Sequence, residues 1–345
     1  MLQEIENRLG PLMANDQGIR REVSEFFDHE VATYVELLSN LEARLRQKKD
    51  YDKAILKDLH MATYRIVKRG YELGCSIKNK YLIEEIKDVF RKLILPWMGQ
   101  SVIMKRGLEK PRGYPGDSET LQYIYDNKPV SSGLGYYYDQ GFIASELCEA
   151  VRNRKDKMTE LIGQFLMKAD APKISILNLA CGSCREFDKL DIPASSQDRI
   201  ELVCVDQDEN ALASSRKNLQ KKHLNAIFMK EDIINAARNK AGGLFAGRNL
   251  TYSIGLIDYL PDRVLKKIIQ ACFNGLLPGG KLILSHKDCS RYIPMKEDWL
   301  TDWKFVPRDE EKLMNMLIEV GIDRSKVEVV REPTQIIFFM IISKQ

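Results

Sequence analysis

The chain has 345 residues, of which 44% are hydrophobic and 30% are charged, so it can bury one large core or two ordinary ones. Its formal net charge of +4 is small for this length and gives no reason to expect nucleic acid as a partner. Seven cysteines without disulfide-type spacing, an N-terminus without a signal-peptide layout and no apolar run near 18 residues predict a cytoplasmic protein with no membrane span.

The first third of the chain has a helical pattern. Apolar residues recur at steps of three and four over residues 19–45, which predicts one long amphipathic helix. Residues 51–73 and 81–97 repeat this spacing, and Pro96 is expected to limit the second of these helices. We therefore predict a helical N-terminal domain over residues 1–133, which is a candidate acceptor cavity or lid and a candidate homodimer interface.

A segment rich in glycine and proline follows these helices. Pro115 and Gly116 form a turn signal, and Asp117 is placed to cap a helix that begins at Ser118. Another helical pattern covers residues 139–168. The second predicted domain, residues 134–345, begins just before this helical pattern.

From residue 173 onward, predicted strands alternate with predicted helices. The strands are KISILNLA, RIELVCVD, NAIFMKED, LTYSIGL, PGGKLILSH, KVEVVRE and QIIFFMIIS. This alternation is typical of a doubly wound α/β fold, in which a parallel sheet carries helices on both faces. The last two strands are joined too tightly for a crossover, so they should form an antiparallel hairpin at one side of the sheet.

The residues that follow the first strand are small. They are Ala180, Cys181, Gly182 and Ser183. Small residues let the backbone approach a ligand closely, and ligands of doubly wound sheets bind beyond the carboxyl ends of the strands. This loop is therefore expected to form part of a binding site.

Acidic residues end the next two strands. Asp206 ends the second strand and can accept hydrogen bonds from two ribose hydroxyl groups. Asp232 ends the third strand, where it can accept a hydrogen bond from an adenine amine, and the apolar Ile233 can contact the ring. Together with Gly255 after the fourth strand, these residues predict a nucleoside-type ligand.

The ordered segments LNLACGSCREF, VCVDQDENAL, KEDI, TYSIGLIDYLPD and LLPGGKLILSH resemble the class I S-adenosylmethionine-dependent methyltransferases. The first motif of that family has an acidic residue and three glycines. This chain has Asn178, Ala180, Gly182 and Cys184 at these positions, so only the central glycine is retained. The resemblance implies a Rossmann-like seven-stranded fold over about residues 135–345 and S-adenosyl-L-methionine as the cofactor.

The resemblance also implies which residues contact the cofactor. They are Asn178, Ala180, Cys181, Gly182, Ser183, Asp206, Gln207, Asp232, Ile233, Ser253 and Gly255, to which we add Asp117 and Tyr138 from the segment before the sheet. An NAD site is disfavoured because Gly-x-Gly-x-x-Gly is missing. The pair Cys181 and Cys184 has no partner ligands in the sequence pattern, so we predict no metal site.

A second resemblance covers the chain from about residue 90 to its end. The segments KPRGYPGDSETLQYIY, GYYYDQG and WKFVPRDEEKL resemble the methyltransferase family of 3-hydroxypalmitic acid methyl ester biosynthesis. That family implies O-methylation of a fatty-acid-like carboxylate to a methyl ester. Because a carboxylate is ionised near pH 7, it needs hydrogen-bond donors and not a base. The catalytic candidates are Arg112, Tyr114, Asp258 and His286, with Lys287 as a further donor.

Three other functions remain open at this point. The acceptor can be another small molecule that is methylated on nitrogen or oxygen. The incomplete first motif also allows a catalytically silent module that keeps the fold. A nucleic-acid methyltransferase is disfavoured, because GLIDYLPD stands where an Asn/Asp-Pro-Pro-Tyr/Phe motif would be expected.

Overall fold

A computed structural model describes residues 2–14, 16–47, 51–193, 197–222, 224–238 and 243–345. The chain divides into two compact units. The helical unit consists of Met1–Ser145 and Pro294–Lys304, and the sheet unit consists of Glu146–Ile293 and Phe305–Gln345. The predicted boundary at residues 133 and 134 therefore differs from the division in the structure, which also assigns an excursion late in the chain to the helical unit.

The elements follow the chain in this order. The helices before the sheet are α1 Leu2–Leu9, α2 Gln17–Glu25, α3 Ala32–Gln47, α4 Lys53–Ser76, α5 Lys80–Met98, α6 Val102–Glu109, α7 Ser118–Asp126, α8 Gly133–Ile143 and α9 Glu146–Lys168. Then come β1 Ile174–Leu179, β2 Ile200–Asp206, α10 Glu209–Leu219, β3 Asn225–Lys230, α11 Ile233–Arg238, β4 Arg248–Ser253, α12 Asp262–Gly275, β5 Leu276–Lys287, α13 Met295–Thr301, α14 Glu310–Glu319, β6 Val327–Arg331 and β7 Ile337–Ser343.

The predicted helices of the N-terminal region are present, with three local differences. A π-helical segment, Phe26–Val31, joins α2 to α3, so residues 17–47 are helical throughout. Helix α5 contains Pro96 and continues to Met98, because a proline this near the end removes only a bond of the last turn. The pattern over residues 139–168 is divided between α8 and α9. None of the described helices combines the length and the apolar character that crossing a bilayer requires.

Trp299 of α13 occupies the centre of the helical core. Its ring lies 5.8 Å from the ring of Phe26 and 5.9 Å from that of Phe90. Gly70 of α4 makes this position available, since a Cβ atom there would lie 2.6 Å from the indole. Arg91 donates hydrogen bonds of 3.1 Å to the carbonyl oxygens of residues 298 and 299. The excursion over residues 294–304 thus completes the core of the helical unit.

The sheet unit has seven strands in the order β3-β2-β1-β4-β5-β7-β6. The first five strands pair in parallel, and β7 pairs antiparallel with both β5 and β6. Strand β1 is almost wholly buried, as expected for a central strand with helices on both faces. The doubly wound fold and its antiparallel terminal hairpin are confirmed, and the order brings the ends of β1, β2, β4 and β5 to one edge.

Candidate functional site

The loop after β1 has an unusual backbone. Ala180, Gly182 and Cys184 all have left-handed conformations, with φ of +53°, +54° and +53°. Two of these residues carry a side chain, and such conformations are uncommon outside glycine and cluster at functional sites. A Cβ atom on Gly182 would meet no described atom within 4 Å. The loop therefore presents open space above its backbone at the edge where a ligand is expected.

Asp206 at the end of β2 is bonded to this loop. Its Oδ2 accepts a hydrogen bond of 3.0 Å from the Gly182 N–H, and its Oδ1 accepts one of 2.9 Å from the Asp208 N–H. Burial, with the negative charge of the neighbouring Cys181, raises the pKa of Asp206 to about 6. Each carboxylate oxygen keeps a lone pair, so the group can still accept hydrogen bonds from a ligand.

Helix α10 holds the loop from its other side. Ser215 Oγ donates a hydrogen bond of 2.6 Å to the Gly182 carbonyl oxygen, and Asn218 Nδ2 donates one of 2.8 Å to the Ser183 carbonyl oxygen. These bonds fix two successive peptide groups of the loop. The protein's own hydrogen bonds therefore hold the loop in this conformation without a ligand.

The remaining predicted cofactor residues of the sheet unit lie at the same edge. The Asp232 Oδ1 accepts a hydrogen bond of 2.8 Å from the Ile234 N–H, so this carboxylate caps the N-terminus of α11. Ile233 is buried, whereas Gln207 is exposed. Ser253 Oγ donates a hydrogen bond of 2.9 Å to the carbonyl oxygen of residue 179, which joins β4 to β1.

Sequence analysis did not assign a role to Glu186. The Asn178 amide donates to Glu186 Oε1 across 2.9 Å, and the Tyr252 hydroxyl donates to the same oxygen across 2.6 Å. Burial raises the pKa of Glu186 to about 7. Asn178 stands where related proteins have an acid, and Glu186 supplies an acid beside it. The quoted motif contains Glu186, but its position eight residues after Asn178 gives no signal of this contact.

Three thiols meet beneath the same loop. Cys184 Sγ lies 3.6 Å from Cys204 Sγ, and the sulfurs of Cys181, Cys184 and Cys204 all lie within 4.8 Å of one another. Hydrogen bonds from the other two thiols lower the pKa of Cys181 well below its ordinary value. The sequence pattern shows no partner for the pair Cys181 and Cys184, and the structure places Cys204 beside it. Cys204 follows 20 residues later, and only the pairing of β1 with β2 brings it close.

A second buried cluster lies at the ends of β4 and β5. Lys287 Nζ lies 2.7 Å from Asp258 Oδ2, and His286 Nδ1 lies 2.9 Å from Asp258 Oδ1. Burial alone would raise the pKa of Asp258, but Lys287, His286 and Arg154 together hold it well below its usual range. Two predicted catalytic residues, Asp258 and His286, are thus neighbours. Both ring nitrogens of His286 are buried, and neither makes a hydrogen bond of good geometry in the described part of the chain, although Nδ1 lies this close to Asp258.

Arg154 of α9 belongs to this cluster and was missed by sequence analysis. Its Nη1 lies 3.4 Å from Asp258 Oδ2, and its Nη2 would lie 3.7 Å from a Cβ atom on Gly255. The guanidinium Nε is buried without a hydrogen-bond partner among the residues described. A helical arginine resembles any surface charge in sequence, so only the packing of α9 reveals its buried position.

The other predicted site residues belong to the helical unit. Asp117 caps α7 by accepting the Thr120 N–H across 2.8 Å, and the Arg106 Nε donates to the same carboxylate across 3.1 Å. The capping prediction is confirmed. Arg112 is exposed and Tyr114 is half-buried in the loop before α7.

Tyr138 is buried in the helical unit. Its hydroxyl lies 3.0 Å from the Tyr34 hydroxyl, which in turn lies 2.7 Å from Thr63 Oγ1. Burial raises the pKa of Tyr138 well above its ordinary value. The structure therefore shows Tyr138 as part of a hydrogen-bonded chain that crosses helices α3, α4 and α8.

Tyr138 also lines a small cleft within the helical unit. The cleft is lined by Leu59, His60, Thr63, Met104, Tyr138, Gly141, Phe142, Ser145, Lys296, Glu297, Leu300 and Thr301. Most of this lining is apolar, with Lys296 as a half-buried cation. His60 Nε2 has no hydrogen-bond partner in the described ranges, and burial lowers the pKa of His60.

Comparison with known proteins identifies the family. A family model described as "Putative methyltransferase" matches residues 98–302, which is more than half of the chain. No curated protein sequence matches the chain. Two solved structures have a similar fold. The CurJ carbon methyltransferase has 14% identity and a TM-score of 0.53, with 99% of this chain and 98% of that chain covered. A possible exported protein from Bordetella parapertussis has 15% identity and a TM-score of 0.52, with 92% and 96% covered. The chain belongs to this methyltransferase family.

Proposed function

We propose that the chain is an S-adenosylmethionine-dependent methyltransferase that acts on a small molecule. The observation that carries this proposal is the hydrogen bond between Asp206 and Gly182, which joins an acidic strand end to an open, left-handed loop. The methyltransferase family and the doubly wound fold support S-adenosylmethionine as the methyl donor. A catalytically silent module would need only the fold, and not a loop held in this conformation by hydrogen bonds.

The residues at the sheet edge fit such a donor. In this proposal Asp206 accepts hydrogen bonds from both ribose hydroxyl groups. The buried Ile233 contacts the adenine ring. The open space above Gly182 gives room for close backbone approach. The buried guanidinium of Arg154, whose Nε lacks a described partner, is suited to a carboxylate such as that of the methionyl group. The donor, when bound, supplies a methyl group activated by a sulfonium, and the protein chiefly positions the reactants.

We propose a fatty-acid-like carboxylate as the acceptor, converted to a methyl ester. The resemblance to the 3-hydroxypalmitic acid methyl ester family supports this choice. The cleft of the helical unit offers an apolar lining for the chain of such an acceptor and Lys296 for its carboxylate, beside the buried carboxyl group of Glu297. Arg112 and Tyr114 remain candidates for further hydrogen bonds to the acceptor. The acceptor oxygen is already ionised at neutral pH, so this reaction removes no proton.

The Asp258–His286 pair favours a second candidate, O-methylation of a hydroxyl group. An imidazole whose Nδ1 lies close to a carboxylate can take up a proton at Nε2, and the buried Nε2 of His286 makes no hydrogen bond among the described residues. In this reaction His286 would remove the hydroxyl proton while the oxygen attacks the methyl group. A hydroxylated natural product would then be the acceptor.

One experiment separates these functions. Donor with a labelled methyl group is incubated with 3-hydroxy fatty acids, phenols and amines, and the products are treated with mild alkali. Label released as methanol supports the ester. Alkali-stable label on a phenol that disappears in His286→Gln supports the second candidate. Donor binding without transfer to any acceptor, or no donor binding at all, contradicts the proposal for this panel, and the latter favours the silent module.

A further inference from the structure

We propose that Cys181, Cys184 and Cys204 form a binding site for a thiophilic divalent cation, with zinc as the ion. The three sulfurs come from two neighbouring parts of the sheet, the loop after β1 and the middle of β2. All three side chains are buried, and their sulfurs lie within 4.8 Å of one another. This site does not depend on whether the chain transfers methyl groups.

The spacing of the sulfurs suits thiolate coordination. Zinc binds thiolate sulfur at about 2.3 Å with tetrahedral geometry, so sulfurs on one zinc ion lie about 3.8 Å apart. The observed distance between the Cys184 and Cys204 sulfurs is 3.6 Å, and the outer limit for the set is 4.8 Å. Sub-ångström movements of the side chains would therefore bring three sulfurs onto one ion.

The surroundings supply what a metal site needs beyond its three sulfurs. Asn178 Nδ2 lies 3.5 Å from Cys184 Sγ, so an amide hydrogen can stabilise that thiolate. Ser215 Oγ lies 3.6 Å from Cys181 Sγ and offers an oxygen as a fourth ligand. Asn178 is itself held by Glu186, which fixes the direction of its amide.

The convergence of three thiols distinguishes this site from ordinary buried cysteines. Cys272 is fully buried in α12 and belongs to no comparable group in the described ranges. A disulfide would use two of the three sulfurs and leave the third unexplained. A soft cation uses all three, which is why we prefer it.

The test measures metal binding directly. The exposed cysteines are first removed as Cys75→Ser and Cys289→Ser, and the reduced protein is titrated with Co²⁺ as a spectroscopic substitute for zinc. We expect one equivalent to bind with thiolate charge-transfer and tetrahedral d–d absorption, and added zinc to displace it. Adding Cys204→Ala or Cys184→Ala should abolish this absorption. Adding Cys272→Ala, the matched buried control, should leave it intact.

Circular dichroism and thermal melting show whether each variant is folded. Because two different ligand cysteines are replaced separately, the test remains possible if one of the two variants fails to fold. No saturable absorption in the background protein would overturn the proposal. Equal absorption in folded Cys204→Ala or Cys184→Ala protein would overturn it as well. So would a Cys184–Cys204 disulfide in protein purified without reductant and alkylated, if the reduced form then binds no Co²⁺. None of these results depends on methyl transfer, so the proposed function is tested separately.

Discussion

The backbone N–H of Gly182 donates a hydrogen bond to Oδ2 of Asp206 across 3.0 Å. This bond joins the loop after β1 to the end of β2, the two places where sequence analysis predicted a ligand. The carboxylate is thereby oriented before any ligand arrives. A side chain that is already positioned loses little conformational entropy on binding, so Asp206 is suited to a large share of the donor affinity.

Asp206→Ala should weaken donor binding strongly. Each hydrogen bond from a ribose hydroxyl to a carboxylate contributes about 1.5–3 kcal/mol, so the loss of even one of the two proposed bonds corresponds to roughly 10- to 100-fold in Kd. Isothermal titration with S-adenosylmethionine or its demethylated product measures this change. Asp208→Ser is the control, because it removes an equal charge two residues away and retains a capping side chain for α10. Equal affinities in the two variants would contradict the assigned role of Asp206.

Glu186→Gln should change how stability depends on pH. The pKa of Glu186 is about 7 in the folded protein and near 4.5 in the unfolded chain, so the folded state holds the proton more tightly. The corresponding stabilisation is full below about pH 4.5 and is lost as the pH rises through 7. The shift corresponds to roughly 3 kcal/mol, and glutamine does not titrate.

Urea unfolding of both proteins between pH 5 and pH 8 measures this effect. The free energy of unfolding of the variant, relative to the native protein, should increase with pH across that range. Glu328→Gln changes an exposed glutamate of β6 and serves as the control. Parallel curves for Glu186→Gln and the native protein would show that the Glu186 carboxyl is not held protonated.

Gly70→Ala should destabilise the helical unit. The added methyl group would lie 2.6 Å from the Trp299 ring, so α4 or the indole must move. Overpacking of this kind costs about 1–3 kcal/mol. Gly74→Ala is the matched control one turn later, where the methyl group would meet only ordinary contacts of 3.7 Å and 3.8 Å. That variant should be neutral or up to about 1 kcal/mol more stable because alanine favours helix. Chemical denaturation that ranks the two variants in the opposite order would refute this account of Trp299.

Asp117→Ala should lower the stability of the protein by about 1–3 kcal/mol, because α7 loses its cap and Arg106 loses a buried partner. The proposed lid role adds a second expectation, a weaker affinity for the donor and lower turnover. Asp52→Ala removes the cap of α4 and is a control for cap loss alone. If both variants lose stability but bind donor normally, Asp117 acts only within the helical unit.

Local features of the fold could be predicted from sequence. The buried strands β2 and β7 are nearly continuous apolar runs, and the Pro-Thr turn between the last two strands is too short for anything except a hairpin. The capping role of Asp117 follows from a polar residue ahead of a helical pattern, and the structure confirms it. These signals lie within a few residues of one another, so no tertiary information is needed to read them.

Nonlocal contacts could not be predicted in this way. Cys204 approaches Cys184 because β1 and β2 pair in a register that sets residue 178 beside residue 204, and sequence spacing does not encode that register. Arg154 becomes a buried partner of Asp258 only through the packing of α9. Residues 294–304 belong to the helical unit because Trp299 packs into a core formed by residues far earlier in the chain. An analysis of periodicity does not detect such a contact.

The late position of Trp299 also affects the order in which the protein can fold during synthesis. Residues 146–293 are made between the first helices and the segment that completes their core. At roughly 5–20 residues per second, these 148 residues take a ribosome about 7–30 s. During that interval the nascent helices lack their central side chain and expose the apolar surfaces of residues such as Phe26 and Phe90. A chaperone that binds the nascent chain on the ribosome would meet this incomplete helical unit. A chain that ends before residue 299 would lack the same central side chain permanently.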